Sequence, residues 1–468
     1  MTRSPGQLRE HALRIWRAGV EAVRADKLVR QWVCVELRER AGATLRIGDV
    51  SLLLEAVGRI VVVGAGKAAG AMAAALEEAL GEDVLRQKQV AGWANVPADC
   101  VRTLRRIHLH AARPARINEP TAEGVRGAEE ILRLVAGLDP ADLCVCLISG
   151  GASALLPAPI AGITLADKLA VTRHLSAAGA NILELNTVRK HLSRIKGGRL
   201  AQACRAGRLM TLVISDVPGD PLDQIGSGPT VEDHSSSADA LEILERYQAR
   251  AAGISERVFT SLERIAPEAA QPTCTLANFV IGSLAMAVDA AAAEAKRLGY
   301  DCQTRTAKHV ERCAEDVGRQ LADEALRMRA VSGHDCLISG GEPVVQLPSE
   351  CDRGQGGRNQ QLVLAALLRL REAGAAGVLT LSGGTDGEDG PTDAAGAWVD
   401  RTLIDRAAEL GLDPRANLVR CDAYNFFAPL DALIKTGPTQ TNVGDLRVVL
   451  VDRPTVSPTT IGPAPAPV

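Results

Sequence analysis

The sequence has few aromatic residues, no large excess of either charge and no long apolar run. Phe, Trp and Tyr make up 2% of the 468 residues, so the core must be built from Leu, Val, Ile and Ala. The net charge of -3 argues against a nucleic-acid partner, because such binding requires a basic surface. No segment approaches the roughly 20 apolar residues of a membrane span, and residues 1–9 lack the apolar core of a secretion signal. We therefore expect a cytoplasmic protein with neither a membrane nor a nucleic-acid partner.

The 11 cysteines and eight histidines lack the spacing of disulfide or metal sites. Cys144 and Cys146 form a C-x-C pair in an apolar run, whereas zinc and redox elements use C-x-x-C. No H-E-x-x-H motif occurs, and His108 and His110 alternate with other residues as they do in a strand. We expect most cysteines to be small buried residues of a protein in a reducing compartment.

Apolar strands followed by glycine loops and helices recur along the chain. Residues 59–80, RIVVVGAGKAAGAMAAALEEAL, predict a strand, a glycine turn and a helix. Residues 8–41 predict one or two amphipathic helices, and residues 276–299 predict a short strand and a long helix. Further strands are predicted at residues 89–96, 143–151, 209–216, 336–341 and 377–384. This alternation indicates an α/β protein with mostly parallel sheets that helices cover on both faces.

The motif Ile-Ser-Gly-Gly occurs twice, at residues 148–151 and 338–341, which suggests two α/β domains rather than one sheet. Residues 234–272 contain small, polar and helical segments but no buried strand. We therefore predict an N-terminal α/β domain over residues 1–240 and a C-terminal α/β domain over residues 241–453. Residues 454–468 are Pro-rich and lack apolar periodicity, so they are predicted to form a mobile tail.

The first candidate site is a glycine loop between a strand and a helix, with Gly64, Gly66 and Lys67. It is similar to a G-x-G-x-x-A dinucleotide motif, but the predicted second strand ends without the acid that binds the ribose. It also lacks the G-x-x-x-x-G-K-[ST] pattern of a Walker A loop. A lysine at a helix N-terminus can neutralise a phosphate or carboxylate, and a solvated lysine is the alternative interpretation.

Two further loops concentrate charge. Residues 190–200, KHLSRIKGGRL, form a cationic turn that suits an anionic ligand, although a basic helix face on the surface explains them nearly as well. Asp216, Asp220 and Asp223 follow a predicted strand in a loop rich in Gly and Pro. Carboxylates in such a loop suit Mg²⁺ or a base beside a hydroxyl group, and turn formation is the alternative.

The C-terminal half contains more glycine and polar residues than packing requires. Arg358 follows two glycines at a predicted helix start, where its guanidinium can contact a phosphate or carboxylate in bidentate fashion. The acidic residues of this half have the composition of a calcium loop but lack the EF-hand pattern; they are Asp386, Glu388, Asp389 and Asp393.

A series of motifs covers nearly the whole chain: VVVGAGKAAGAM, LISGGASALLPAP, NTVRKHLSRIKGGRLA, ISDVPGD with IGSGPTVED, LISGGEP, GQGGRNQQ, LSGGTDGEDGPTDAAGA and GPTQTNVGDL. In this order they resemble the glycerate 2-kinase family, whose C-terminal part is known as the MOFRL domain. The resemblance implies ATP- and Mg²⁺-dependent phosphorylation of D-glycerate at its 2-hydroxyl, which gives 2-phosphoglycerate. It also implies two α/β domains, the first of them Rossmann-like, that enclose the active site in a cleft.

The resemblance assigns roles to particular residues of this chain. Lys67 and Arg358 match the family's proposed catalytic lysine and arginine. From the residue types themselves, we expect Asp216 or one of the acids at 386–393 to hold Mg²⁺ or to accept the hydroxyl proton, and Asp216 is the third catalytic candidate. Asp216, Asp386 and Asp389 are the candidate Mg²⁺ ligands. The residues expected to bind substrate or nucleotide are Gly64, Gly66, Ser149, Gly150, Gly151, Ser153, Ser193, Lys196, Gly197, Gly198, Ser339, Gly340, Gly341, Glu342, Gly357, Asn359, Thr385, Asp386, Thr441 and Asn442.

One departure from the family is the missing H-P-x-P-D motif, since residues 110–121 read HAARPARINEPT. Arg113, Asn118 and Glu119 are candidates for its role, and a subgroup with a shifted substrate is the alternative. The departure concerns the identity of the substrate more than the type of reaction.

Other functions and the assembly state stay open at this point. An NAD(P)H-dependent hydroxypyruvate reductase is disfavoured by the missing ribose acid, and a non-catalytic small-acid-binding protein is disfavoured by the many charged loops. A serine hydrolase is weaker still, because Gly151-Ala152-Ser153 lacks the closing glycine of G-x-S-x-G. The expected partners are small molecules, and a homodimer is left open.

Overall fold

The computed structural model describes residues 3–38, 42–115, 117, 119–264, 271–309, 311–374 and 376–453. The chain divides into two compact units. The parallel-sheet unit comprises residues 20–287 and 438–444, and the mixed-sheet unit comprises residues 3–19, 288–437 and 445–453 of the described chain. The predicted boundary after residue 240 instead falls inside the parallel-sheet unit, because the strand Thr275–Gly282 pairs with the strand Arg208–Ile214. The predicted tail lies outside the described residues.

Strands and helices alternate through most of the described chain. The strands are β1 (Val33–Arg38), β2 (Gly42–Ile47), β3 (Val50–Leu53), β4 (Ile60–Ala65), β5 (Ala91–Pro97), β6 (Ile107–Arg113), β7 (Leu143–Ser149), β8 (Arg208–Ile214), β9 (Thr275–Gly282), β10 (Cys302–Thr306), β11 (Cys336–Gly341), β12 (Val378–Gly384), β13 (Gly396–Asp400), β14 (Leu433–Ile434) and β15 (Asp445–Val451). The helices are α1 (Pro5–Ala22), α2 (Ala25–Trp32), α3 (Ala69–Gln87), α4 (Ala122–Ala136), α5 (Ala152–Leu155), α6 (Leu165–Ala177), α7 (Ile182–His191), α8 (Arg199–Ala203), α9 (Ser237–Arg246), α10 (Glu256–Glu263), α11 (Leu284–Arg297), α12 (Ala314–Ala330), α13 (Arg358–Glu372), α14 (Arg401–Glu409), α15 (Pro414–Val419) and α16 (Ala423–Phe427).

The parallel-sheet unit is built on six parallel strands in the order β6-β5-β4-β7-β8-β9. Successive strands are added outward on one side from β4 to β6 and on the other side from β7 to β9. The order therefore reverses between β4 and β7, and ligands of such sheets bind outside the carboxyl ends of the strands at this point. The glycine loop with Lys67 and the first Ile-Ser-Gly-Gly motif follow these two strands.

Helices cover both faces of this sheet. Ile60 and Val62 of β4 lie in one apolar cluster with residues of α2 and α3. Val61 and Val63 lie in a second cluster with residues of α4 and α8. Because a fully buried Val or Ile contributes roughly 1.5–3 kcal/mol, both faces of the strand stabilise the unit. The prediction of a parallel sheet covered by helices on both faces is confirmed for this unit.

The mixed-sheet unit contains six strands in the order β10-β11-β15-β12-β13-β14. Only β10 and β11 pair in parallel; every other neighbouring pair in this sheet of the described residues is antiparallel. The expectation of a mostly parallel second sheet is therefore wrong. Strands β11 and β12 do run in the same direction, but β15 lies between them in the opposite direction, and their apolar sequences do not reveal this long-range pairing.

The remaining elements include a small sheet and a helical layer. Strands β1, β2 and β3 form an antiparallel sheet that the sequence did not predict, since the helical prediction for residues 8–41 extends past Trp32 into β1. Helices α6, α7, α9 and α10 share a separate apolar cluster. In the part of the chain that the structure describes, no helix has the length and apolarity to cross a bilayer.

Candidate functional site

The loop after β4 packs directly on the loop after β7. The Lys67 N–H donates to the carbonyl of Gly150 at 2.9 Å, and the Ala68 N–H donates to Ser149 Oγ at 2.9 Å. A Cβ atom on Gly66 would lie 2.1 Å from Ser149 Oγ, so only glycine fits here. Gly64 is constrained in the same way, because a Cβ atom on it would lie 2.5 Å from the carbonyl oxygen of Leu147. Ser149, expected to bind ligand, thus uses its hydroxyl oxygen to hold the start of α3.

Two cationic side chains flank Gly151. An ideal Cβ on this glycine would lie 3.9 Å from Lys67 Cγ and 3.6 Å from Arg113 Nη2. Arg113 ends β6 and is only 4% exposed, whereas Lys67 is half-buried. Of the candidates for the missing H-P-x-P-D motif, Arg113 is therefore beside the lysine. Glu119 instead forms an ion pair with Arg173 at 3.0 Å, and Asn118 lies outside the described residues.

A carboxylate and an amide meet at the neighbouring glycine. Asn442 Nδ2 donates to Asp216 Oδ2 at 3.1 Å, and a Cβ on Gly150 would lie 2.1 Å and 2.2 Å from these two atoms. Thr441 anchors the segment that carries the amide, because its hydroxyl donates to the carbonyl of Val23 at 2.5 Å. The structure thus brings together Gly150, Asp216 and Asn442, which the sequence predicts separately.

Most of the basic turn of residues 190–200 is buried, although Arg194 is exposed, so the turn is not a solvated helix face. Lys196 is 3% exposed, and its Nζ donates to the carbonyl of Ser153 at 2.8 Å, to Ser153 Oγ at 2.7 Å and to Ser227 Oγ at 3.3 Å. Gly197 and Gly198 have φ angles of 58° and 76°, in the left-handed region. Ser193 Oγ accepts the N–H group of Lys196 at 3.4 Å and so shapes the turn.

The other aspartates of the loop after β8 have separate environments. Asp220 is half-buried, and burial raises the pKa of its carboxyl group above the usual value. Asp223 lies 3.7 Å from Lys190 Nζ, which is 3.2 Å from Asp233. These contacts place Asp223 with the buried lysine of α7.

In the mixed-sheet unit, Arg358 is held by two carboxylates. Its Nε and Nη2 donate to Asp445 at 2.7 Å and 3.0 Å, and its Nη1 donates to Glu342 at 2.8 Å. Burial alone lowers the pKa of Arg358, but the charges of Asp445 and Glu342 outweigh it and raise the pKa well above its usual value. Burial also raises the pKa of Glu342. The guanidinium is therefore permanently charged and fixed in orientation.

Asp389 accepts hydrogen bonds from the start of α13. One carboxylate oxygen accepts the N–H and side-chain amide of Asn359 at 3.0 Å and 3.2 Å, and the other accepts the Gln360 N–H at 2.8 Å. Gly357 is required here, because its Cβ would lie 2.3 Å from the carboxyl carbon of Asp389. Burial raises the pKa of Asp389 to about 6, against the effect of the donated N–H groups. Both oxygens of Asp389 thus accept hydrogen bonds from the start of α13, and its role as a Mg²⁺ ligand stays a prediction.

The remaining predicted residues of this unit lie at the ends of β11 and β12. Gly341 approaches Glu311 so closely that a Cβ would lie 1.9 Å from its carboxylate. Ser339 Oγ is buried without a hydrogen-bond partner among the described residues, and the carbonyl of Gly340 accepts the Ala307 N–H at 2.9 Å. The buried Thr385 precedes Asp386, whose Oδ1 accepts the Glu388 N–H at 3.0 Å. Asp393 instead pairs with Lys435 at 3.0 Å on the surface.

Sequence reasoning did not select two residues of interest, Asp445 and Ser227, although each lies in a motif that it had noted. Asp445 and Ser227 both lie in quoted motifs, GPTQTNVGDL and IGSGPTVED, but neither motif reveals a partner. The carboxylate of Asp445 contacts an arginine 87 positions away, and Ser227 lies 31 positions from Lys196. Such pairings depend on the strand order and cannot be obtained from local sequence.

The charges of the parallel-sheet unit suit an anionic ligand. Lys67 and Arg113 lie beside a glycine loop at the start of α3, where backbone geometry and the helix dipole favour negative charge. Asp216 supplies one carboxylate nearby. Among the described residues, no group of three or more His, Cys, Asp or Glu side chains is arranged to hold a metal ion.

Comparisons with known proteins show which chains this one is similar to. A family described as a domain of unknown function (DUF4147) matches residues 11–263, and the MOFRL family matches residues 335–445. Glycerate kinase of Homo sapiens is 38% identical over 95% of this chain and 93% of its own length. A protein of Agrobacterium vitis with the provisional name hydroxypyruvate reductase is 41% identical over 84% of this chain and 87% of its own length. The crystal structure of glycerate kinase from Thermotoga maritima matches with a TM-score of 0.77 at 34% identity, over 96% of this chain and 100% of that one.

Proposed function

We propose that this chain, which belongs to the glycerate kinase family, transfers the terminal phosphoryl group of ATP to the 2-hydroxyl of D-glycerate. The observation that supports phosphoryl transfer most directly is the pair of cations, Lys67 and Arg113, at Gly151. Such transfer requires little covalent chemistry from the protein, because its main task is to position the reactants and neutralise charge on the phosphoryl oxygens. A lysine and an arginine beside glycine backbone meet that requirement.

Each charged residue has a role in this proposal. Lys67 neutralises the transferring phosphoryl group, and Arg113 fixes the loop against which it lies. Mg²⁺ generally binds through one or two carboxylates together with phosphate oxygens and water, so Asp216 fits as a single protein ligand. When bound, Mg²⁺ neutralises phosphate charge. Asp216 is kept in place by the amide of Asn442.

Arg358 contributes a second, permanently charged group. Three of its five N–H groups donate to Asp445 and Glu342, which leaves two for an anionic ligand. We assign these two to an oxygen of the phosphoryl group or of the glycerate carboxylate. The fixed orientation reduces the entropy that this contact costs when ligand binds.

The test is to incubate the pure protein with ATP, Mg²⁺ and D-glycerate and to identify the product by phosphorus NMR. We expect 2-phosphoglycerate. Exclusive 3-phosphoglycerate would overturn the choice of hydroxyl group and leave the kinase proposal intact, while no phosphorylated product would overturn both. Lys67→Ala should lower kcat by about 100-fold or more, whereas the surface variant Lys435→Ala should not change it. Turnover of Lys67→Ala within tenfold of the parent would show that the lysine role is wrong.

A hydroxypyruvate reductase is the second candidate, because relatives carry that name. Dinucleotide-binding sheets place an acid at the end of the second strand to bind the ribose. Here β5 ends at Pro97, and Asn95 near its end donates to the carbonyl of Leu155 at 2.8 Å. Asp99 lies in the turn beyond. Loss of NADH absorbance with hydroxypyruvate in the absence of ATP would favour this candidate.

Glycerate binding without formation of a product would instead favour a non-catalytic binding protein. A cytoplasmic location and a homodimer stay predictions.

A further inference from the structure

Cys302 and Cys336 are direct neighbours on two adjacent strands of the mixed-sheet unit. They are partners in the parallel register of β10 with β11, so their side chains lie on the same face of the sheet. Neighbouring strands are about 4.8 Å apart, which is within the range of roughly 4.4–6.8 Å between Cα atoms that a disulfide requires. The two thiols also share a hydrogen bond, in which Cys336 donates its S–H to the Cys302 sulfur. A disulfide can therefore form here without a change of register.

The two cysteines differ in their exposure. Cys336 is 0% exposed, whereas Cys302 is half-buried on β10, the outermost strand of the sheet. In its thiol form Cys302 donates to the carbonyl of Gln303 at 3.6 Å. A small oxidant that arrives from solvent therefore meets Cys302 first, and Cys336 lies behind it.

The surroundings of Cys302 favour its thiolate form. The S–H of Cys336 and the charge of Lys296 lower the pKa of the Cys302 thiol, and they outweigh the opposing effects of burial, Asp301 and Asp335. The same hydrogen bond and burial raise the pKa of Cys336. The thiolate is the form that reacts with oxidants, and an accessible thiol of low pKa beside a second cysteine is the arrangement found in redox-sensing pairs.

A second group of thiols lacks this combination. Cys204 lies in hydrogen-bonding contact with Cys144 and Cys274, and all three residues are buried. The contact with Cys144 raises the pKa of Cys204 to about 12, and the contact with Cys204 raises the pKa of Cys274. These thiols stay protonated and away from solvent, which makes them poor targets of oxidation.

We infer that Cys302 and Cys336 form a peroxide-oxidisable pair that closes to a disulfide between β10 and β11. In the first step the Cys302 thiolate attacks one oxygen of hydrogen peroxide, the O–O bond breaks, hydroxide leaves and Cys302 becomes a sulfenic acid. In the second step the Cys336 sulfur attacks the Cys302 sulfur and the S–O bond breaks. The sulfenic OH leaves as water with the thiol proton of Cys336, so two thiols lose two electrons and peroxide is reduced to water. The inference is independent of the proposed function.

The second cysteine gives this oxidation a reversible end point. A sulfenic acid that meets more peroxide becomes a sulfinic acid, which dithiols do not reduce, whereas they do reduce a disulfide. Cys336 already contacts the Cys302 sulfur, so its attack competes with the second oxidation. The pair thus protects Cys302 from irreversible damage.

The test is peptide mapping of the full chain after exposure to hydrogen peroxide. The reduced protein is freed of reductant, treated with peroxide, blocked with N-ethylmaleimide in denaturant and digested without reduction. We expect a linked peptide pair that contains Cys302 and Cys336, with the mass of two hydrogen atoms lost, and its separation by dithiothreitol. Cys302→Ser should abolish the linked pair. Cys351→Ser is the matched control, because Cys351 is exposed but lies outside the pair, and it should leave the link unchanged.

Dimedone, which traps sulfenic acids, tests the order of the two steps. In Cys336→Ala we expect dimedone on Cys302 and, when dimedone is omitted, a sulfinic acid that dithiothreitol does not reverse. Mapping of the parent requires no variant, so poor folding of Cys336→Ala leaves the main test intact. Cys302 and Cys336 both blocked by N-ethylmaleimide after peroxide would overturn the inference. A link from Cys302 to a different cysteine, or a sulfinic acid at Cys302 of the parent without any link, would overturn it as well.

Discussion

Asp445 holds the guanidinium of Arg358 with both carboxylate oxygens, at 2.7 Å from Nε and 3.0 Å from Nη2. Asp445 is the first residue of β15 and pairs in register with Gly341 at the end of β11 and Gly384 at the end of β12. An antiparallel strand between two strands of common direction is what places this carboxylate at their carboxyl ends. The reversal of β15, which the sequence does not predict, thus sets the position of the predicted arginine.

Replacing Asp445 by Asn should destabilise the protein and impair the reaction. The change leaves the half-buried Arg358 with Glu342 as its one carboxylate partner, and the loss of charge-assisted hydrogen bonds to the buried Asp445 costs on the order of 2 kcal/mol. Urea unfolding measures the loss, and kcat/KM for glycerate phosphorylation should fall in parallel. Asp393→Asn is the matched control, because the pair of Asp393 with Lys435 is exposed and such pairs contribute about 0–1 kcal/mol. Equal losses in the two variants would contradict the assigned role of Asp445.

Replacing Gly150 by Ala should displace both Asp216 and Asn442. The new methyl group would lie 2.2 Å and 2.1 Å from their side-chain atoms, and relief of such overlap typically costs about 1–3 kcal/mol. We expect a loss of kinase activity larger than the loss of stability explains. Gly137→Ala is the control, since the nearest atom to its Cβ is a carbonyl oxygen at 3.4 Å. A fully active Gly150→Ala enzyme would separate Asp216 from the reaction.

Because of Asp389, we expect the free energy of unfolding of the protein to fall as the pH rises from about 4 to 6. Its pKa is raised to about 6 in the folded chain, whereas an unfolded aspartate titrates near 3.9. Between these values the folded state binds more protons than the unfolded state, so ionisation costs up to about 3 kcal/mol of unfolding free energy by pH 7. Unfolding measured across this range should show the slope in the parent and in Asp393→Asn. The same slope in Asp389→Asn would assign it to another group.

The sequence predicted the elements better than their pairing. Strands β4 and β7 and their glycine loops are predicted correctly because continuous apolar runs followed by glycine are local signals. The antiparallel insertion of β15 and the burial of Lys196 depend on contacts between distant segments. The expectation of a mostly parallel second sheet was therefore wrong, and whether the basic turn is buried or solvated was left open. For the candidate site, residue types pointed to charge and glycine. They did not distinguish an aspartate that holds the start of a helix, such as Asp389, from one beside the glycine loop after β7, such as Asp216.

The two units are interleaved along the chain, and this has a consequence for dissection of the protein. The segment 438–444 belongs to the parallel-sheet unit although the residues on either side of it belong to the other. Three contacts hold it there. The Thr441 hydroxyl donates to the carbonyl of Val23, and the Asn442 amide donates to Asp216. The carbonyl of Gln440 accepts the Ala25 N–H at 3.4 Å. A fragment of residues 20–287 would consequently lack the segment 438–444, and Asp216 would lose its hydrogen bond from the Asn442 amide. Such a fragment needs residues 438–444, added as a separate peptide or fused by circular permutation, to restore the contacts of Asp216 and Gly150 with Asn442.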